Sequence, residues 1–342
     1  MTPNSYHVTR SSQATKTIAV LGALLLLILV AAPYWAGRAE LRLMGEIFLY
    51  LALASLWNLM AGYAGLVSVG QQAYVGLGGY MLFAFTIFAG THPIVAVILA
   101  GLVGAILAIP VALLIFRLRG AYFAIGTWVI AEVFRLSFAQ VSALGGGSGS
   151  SLPVGIVRSL ASSRAGREHL SYWLALGSAV LVIAAVYLFL RSRNGLALTA
   201  IRDNELAAGS LGIDIWRTKF VVYLVTAALT SVIGALIFLQ KLRISPDAAF
   251  SVNDWTAFVI FIVVIGGIGT IEGPIIGTLI FFLLRETLAD LGTIYLMILG
   301  LVAIVIMLKA PQGLWGLIRA RFDFELFPLS YRVKANKPTK KG

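Results

Sequence analysis

Few side chains in this sequence can do chemistry, and most of those sit in apolar surroundings. Glu132 and Arg135 stand three residues apart inside an apolar run, a spacing that puts both on one face of a helix. A carboxylate there could carry a proton, or could pair with the arginine near an interface. Asn58, Ser68, Gln71, Gln72 and Thr127 supply amides and hydroxyls. Such groups suit the lining of a polar conduit better than bond cleavage, and Gly62 among them permits close helix approach or a break. The histidines His7, His92 and His169 lie far apart and cysteine is absent, so no metal-ligand spacing exists. Gly145 to Ser151 is glycine-rich and reads as flexible. It is not a phosphate loop, because no Gly-Lys-Ser/Thr follows it. No nucleophile–base set stands out, which weighs against an integral-membrane enzyme.

The elements that must position these groups are helices in lipid. The chain has 342 residues, 60% hydrophobic and 12% charged, with mean hydropathy +0.95. Soluble domains carry about 25% charged residues, so this composition predicts an all-α polytopic membrane protein. Ten apolar segments follow by hydropathy: 17–36, 45–62, 66–88, 94–115, 121–138, 171–190, 219–239, 255–270, 274–290 and 293–309. The first resembles a signal peptide but reads as an uncleaved span, since many spans follow and no small-x-small cleavage site is present.

The net charge of +12 is distributed as topology demands, not as a nucleic-acid surface. With the N-terminus in the cytoplasm, only Arg38, Arg42, Arg158, Arg164, Arg167, Lys241 and Arg243 fall on outer segments. Apart from Arg135 and Arg285 within spans, all other basic residues fall inside, so both ends are placed in the cytoplasm. Three parts result: a cytoplasmic segment 1–16, a membrane domain 17–309 with an outer loop 139–170 and an inner loop 191–218, and a basic tail 310–342. The tail is expected to be disordered at its end and able to hold anionic lipid headgroups. By helical rise, Glu132 lies about 18 Å in from the inner end of its span, past the midplane. Arg158, Arg164, Arg167 and Glu168 read as solvated outer charges, available to a soluble receptor lobe.

The inner loop holds the most polar segment of helical composition, residues 200–214. Ile201, Leu206, Ala207, Ala208 and Leu211 predict one short amphipathic helix, with Gly212 as its stop. Pinned between two apolar segments, it suits docking to a cytoplasmic partner; an ordinary solvated connection is the alternative. Glu205-Leu206-Ala207-Ala208 followed by Leu211-Gly212 resembles the Glu-Ala-Ala loop of ABC importer permeases. The longer run from Arg202 through Ile213 resembles that loop in LivM-type branched-chain amino acid permeases. Gly62-Tyr63-Ala64-Gly65-Leu66-Val67-Ser68-Val69-Gly70-Gln71 and the block from Gly266 to Gly277 resemble two further signatures of the same family; the doubled Gln71-Gln72 is a variant of the first.

The resemblance implies a permease subunit without an ATPase motif, needing no cofactor of its own because partner subunits bind ATP. It implies a second homologous permease, two cytoplasmic ATPases, a soluble substrate receptor and a bacterial inner membrane. It makes Arg202, Asp203, Asn204, Glu205, Ala207, Ala208, Leu211 and Gly212 the coupling contacts. Asn58, Gly62, Ser68, Gln71, Gln72, Thr127 and Glu132 are candidates for the translocation path by the amide, hydroxyl, carboxylate or glycine that each brings into an apolar run. Leucine, isoleucine and valine are the family's usual substrates. An ion-coupled transporter using Glu132 is the alternative, and it leaves the inner loop unexplained.

Overall fold

Apolar runs bounded by capping residues fold into helices here, and the caps show why each run starts where it does. In the computed structural model, residues 6–9, 13–161, 163–288, 291–292, 294–310, 312–322, 327 and 332–335 are described. The order is β1 (Tyr6–Thr9), α1 (Gln13–Ala31), α2 (Arg38–Asn58), α3 (Gln71–Phe88), α4 (Pro93–Ile115), α5 (Ala121–Ala139), β2 (Ser150–Ser151), α6 (Val154–Leu160) and α7 (Arg164–Leu190). It continues with α8 (Arg193–Asp203), α9 (Glu205–Ser210), α10 (Ile215–Lys241), β3 (Arg243–Ile244), α11 (Pro246–Ala249), α12 (Phe258–Gly266), α13 (Glu272–Leu288), α14 (Ile294–Lys309), α15 (Gly313–Phe322) and β4 (Arg332–Ala335). Ser163, Ser192, Asn204 and Asp214 each accept an N–H from the first turn of the following helix, satisfying donors that a helix cannot pair internally.

All ten predicted segments are largely helical. Six helices among the described residues are long and apolar enough to cross a membrane, or seven if α14 and α15 count as one bent span. The shortfall against ten has a physical cause. The helix α3 is expected to start at residue 66 but starts at Gln71, and it opens with two amides. Its hydropathy is diluted because it is enclosed by other helices instead of lipid. Residues 13–34 form a shorter apolar helix, and α13 carries Glu272 and Arg285.

The centre of the bundle is α3, packed most extensively on α10 and then on α4 and α5. The approach is backbone to backbone. A Cβ on Gly78 would stand 1.9 Å from the Ser231 carbonyl oxygen, and one on Gly234 2.2 Å from that of Val75. Small residues let membrane helices close to this distance, where dispersion and not the hydrophobic effect holds them together. A second pair, α2 and α7, flanks this centre.

One expectation changes. The run from Gly145 to Ser151 is built, not flexible: two short 3₁₀ turns lead into an antiparallel bridge of Ser150 with Ile244 and Ser151 with Arg243. Gly149 makes this possible, with φ +77° and room for a Cβ only 2.0 Å from the Ile244 oxygen. The tail, expected to be disordered only at its end, carries α15 after α14 and β4 paired with β1. Its end, 336–342, lies outside the described residues.

Candidate functional site

Residues 65–70 leave the helix between α2 and α3. The α2 run ends in a π turn, Leu59–Tyr63, and Gly65 takes φ +68°. Irregular backbone at membrane depth must find partners inside the protein, and it does. The Trp57 indole donates to the Ser68 carbonyl at 2.8 Å. Val69 N–H donates to the Thr127 hydroxyl at 3.0 Å, and Gly70 N–H to the Ser68 hydroxyl at 3.1 Å. Gly70 lies so close to α5 that a Cβ would meet the Thr127 carbonyl oxygen at 2.1 Å. Ser68 and Thr127 are both buried and both occupied in holding this segment.

The two glutamines then open α3 in different ways. Gln71 donates its amide to the Leu53 carbonyl at 3.0 Å, while its Oε1 has no hydrogen-bond partner among the described residues. The Thr256 hydroxyl donates to Gln72 Oε1, and the Gln72 N–H faces the same hydroxyl. Thr256 stands in a second π turn, Asn253–Ala257. Both interruptions of regular helix therefore meet at the start of α3, and such π turns often mark functional places.

Asn58 and Gly62 meet the other glycine block. Asn58, 1% exposed, donates from Nδ2 to the Thr270 carbonyl at 2.7 Å and accepts the Gly269 N–H on Oδ1 at 2.8 Å. A Cβ on Gly62 would lie 2.5 Å from Gly269 N. Gly267 and Gly269 adopt φ +132° and +76°, which L side chains reach only under strain, and this lets the 267–270 turn present its backbone to Asn58. The turn is closed by Thr270, whose hydroxyl donates to the Gly267 oxygen and accepts the Gly273 N–H.

The inner-loop stretch joins this junction. It is not one helix but two, broken at Asn204, because Asn204 leaves helical geometry to cap α9 through its Oδ1 and the Ala207 N–H. The predicted apolar face is split accordingly. Ile201 and Ala208 are buried, whereas Leu206 and Leu211 are 86% and 79% exposed, with Ala207 exposed beside them. Gly212, with φ +84°, ends α9 as expected. Glu205 pairs with Lys219 at 2.9 Å. Arg202 pairs with Asp203 at 3.1 Å, yet its guanidinium also lies 6.0 Å from the Tyr63 ring centre. It lines a cavity with Gly269, Thr270, Glu272, Trp315 and Arg319. The three sequence blocks 58–80, 200–214 and 266–277 thus converge at one end of the bundle.

Glu132 stands apart from this assembly. Its carboxylate is bridged by Arg135 at 2.6 Å, and Arg135 reaches Asp247 at 2.8 Å. With 44% of its side chain exposed, it sits in a surface ion-pair chain. Sequence reasoning missed Thr256, although the polar break Ser251-Val252-Asn253-Asp254 before Trp255 and Thr256 in an apolar run was a visible signal. It also missed Tyr63, and the Glu46–Arg285 pair at 2.7 Å between α2 and α13. Pairs so distant in sequence carry no local pattern.

Several apolar helices around an irregular, internally satisfied polar seam, with an exposed helix pair at one end, define a multi-pass membrane protein. The chain belongs to the family of branched-chain amino acid transport system permease components, whose model matches residues 41–308. It is 28% identical to the high-affinity branched-chain amino acid transport system permease protein LivM of Salmonella typhimurium, over 88% of this chain and 76% of that one. The LivM of Escherichia coli K12 is 27% identical over the same shares. A probable branched-chain amino acid transport permease LivH of Methanocaldococcus jannaschii is 26% identical over 40% of this chain and 45% of its own. No solved structure matches. The family consists of transport subunits and not enzymes.

Proposed function

We propose that this chain is the membrane-spanning subunit of an ABC importer for branched-chain or related amino acids, set in a bacterial inner membrane with both termini in the cytoplasm. All ten apolar segments cross or enter the bilayer. Two ATP-binding subunits dock on α8–α9, a second homologous permease completes the path, and a soluble receptor delivers substrate at the opposite end. The chain itself binds no cofactor. The observation that carries this reading is α9, which offers Leu206, Ala207 and Leu211 to solvent while capped at both ends and anchored between two 27-residue helices. Large apolar side chains held this exposed on a rigid helix mark a protein contact.

The coupling residues divide by role. Leu206, Ala207, Leu211 and Glu205 form the docking face, with Asp203 beside them. Asn204, Ala208 and Gly212 build the helix that presents it. Arg202 passes its displacement to Tyr63 and the Gly269 turn, and so to Asn58 and Gly62. Movement there shifts the start of α3, where Ser68, Gln71, Gln72 and Thr127 stand. Of these, the unpaired Gln71 Oε1 is the group free to meet substrate, while Glu132 takes no part in proton transfer.

The test is co-purification from solubilised native membranes. Wild type brings down an ATPase pair and a second permease. Leu206→Asp and Glu205→Lys lose the ATPases while keeping the wild-type thermal midpoint. A wild-type chain that emerges alone and still transports overturns the reading.

A further inference from the structure

At the end opposite α8–α9, cations gather around two adjoining recesses. One, of about 180 Å³, is lined by Arg38, Arg42, Arg164 and Arg167. The other, of about 660 Å³, shares Arg164 and Arg167 and adds Arg158, Lys241 and Arg243. Among the described residues lining either recess, Glu168 is the one acid, and it is divided between Arg38 and Arg164 at 3.4 Å each. Lys241 sets its ammonium 4.7 Å from the Trp255 ring centre, facing Asp254 and Glu46, and the six arginines of the two recesses share one acid between them. Arg38 and Arg164 keep 66% and 70% of their side chains exposed, so water screens their mutual repulsion and leaves them accessible to an anion, and arginine's planar fork matches a phosphate bidentately.

The floor has a different character. Leu41, Leu160, Leu239 and Leu242 supply apolar surface beneath the cations. Leu242 is fixed in a left-handed conformation, φ +57°, and its carbonyl accepts the Leu152 N–H at 3.0 Å, so the rim does not depend on a loose loop. Tyr172, also in the lining, donates its hydroxyl to the Leu29 carbonyl of α1. Below Leu29, α1 exposes Leu21, Leu24, Leu25 and Leu27. The recess thus continues into a surface suited to acyl chains.

Its depth agrees. Exposed Tyr34, Trp35 and Trp173 mark the level of the bilayer interface, where amphipathic rings settle. Trp35 precedes Arg38 by three residues, and Trp173 follows Glu168 by five on α7, about 7.5 Å along the axis. The headgroup layer is roughly 5–7 Å thick on each side. Glu168 and the Arg38 paired with it stand at the outer edge of that layer, and Arg167 and Arg164, six and nine residues before Trp173, reach about 9 and 13.5 Å along the axis, so the recess opens onto the headgroups from the water side.

We propose that this cationic recess binds the headgroup phosphate of an anionic phospholipid whose chains lie along α1. A recess with an apolar floor that opens onto the headgroups suits a lipid arriving laterally better than a protein surface arriving from water. The purified full chain in neutral detergent is titrated with dioctanoyl phosphatidylglycerol, dioctanoyl phosphatidylcholine and inorganic phosphate, following the thermal midpoint and native mass-spectral adducts. Phosphatidylglycerol is expected to stabilise saturably, at a half-point at least tenfold below those of phosphatidylcholine and phosphate. Each arginine at an anionic headgroup contributes about fivefold. Arg164→Gln with Arg167→Gln therefore raises the phosphatidylglycerol half-point about 25-fold, and Arg38→Gln alone, on the opposite wall, about fivefold if the double variant fails to fold. Equal responses to the two lipids, or variants that titrate as wild type, overturn the proposal. Phosphate matching phosphatidylglycerol at equal concentration makes this a free-anion site and overturns the lipid. Unchanged lipid titration with lost binding of the soluble receptor makes the arginines a protein-docking surface and also overturns it.

Discussion

Replacing Asn58 by leucine keeps the forked outline of the side chain, with methyl groups bulkier than the amide, and removes both ends of the clamp on the 267–270 turn. The Gly269 N–H and the Thr270 carbonyl, now bonded at 2.8 and 2.7 Å, lose their partner in a place where Asn58 itself is shut off from solvent. A buried backbone group left unpaired costs about 1–3 kcal/mol, whereas polar contacts within membrane proteins average nearer 0.6 kcal/mol. The two groups together give about 2 kcal/mol. That corresponds to a fall of roughly 3 °C in thermal midpoint when the unfolding entropy is scaled to 342 residues. Gly62→Ala attacks the same contact from the other side, because its Cβ would lie 2.5 Å from both Gly269 N and Asn58 Oδ1. Once either substitution has released the turn, the second has little left to break. The double variant should therefore lose at least 1 kcal/mol less than the sum of the singles. Differential scanning fluorimetry of the four proteins measures this cycle, and transport by the reconstituted complex should fall in each variant with the ATPases still bound. Additivity within about 0.5 kcal/mol, the range of independent sites, would refute the clamp.

Three further outcomes follow from the same geometry. Gly234→Ala forces a methyl group to 2.2 Å from the Val75 oxygen and should destabilise by about 1–3 kcal/mol; Gly177→Ala, with nothing within 4 Å, should stabilise α7 by up to about 1 kcal/mol, both read as thermal midpoints. Arg202→Gln should keep the ATPase pair in a pull-down but lower transport per ATP hydrolysed several-fold, and unchanged coupling would remove Arg202 from the transmission path. Glu132→Gln should leave uptake within about twofold of wild type and independent of the proton gradient; loss of uptake would restore the carboxylate as a carrier.

What the sequence could carry was whatever is local or compositional. Apolar runs with few charges can only be helices in lipid, because every backbone group must pair within its own segment. Gly212 at φ +84° was legible for the same reason, since one residue's conformational preference decides it, whereas the cap that Asn204 places on α9 was not read from the sequence. The segment 200–214 was readable as an exposed helical element but not as an apolar face split between core and solvent, because the split depends on which of its apolar residues find a neighbour. Ile201 and Ala208 do, and Leu206 and Leu211 do not.

Only the tertiary structure decided which polar groups face one another. Asn58 and Thr270 are 212 residues apart, and Gln72 and Thr256 184. An amide in an apolar run signals that a partner must exist, but no periodicity says where it is. The same holds for the cations opposite α8–α9. Read along the chain, Arg38, Arg164 and Lys241 are three loop charges; in space they share two recesses, because α2, α7 and α10 begin or end at one level. Sequence fixes the cost of burying each group, and the fold alone chooses the partner that offsets it.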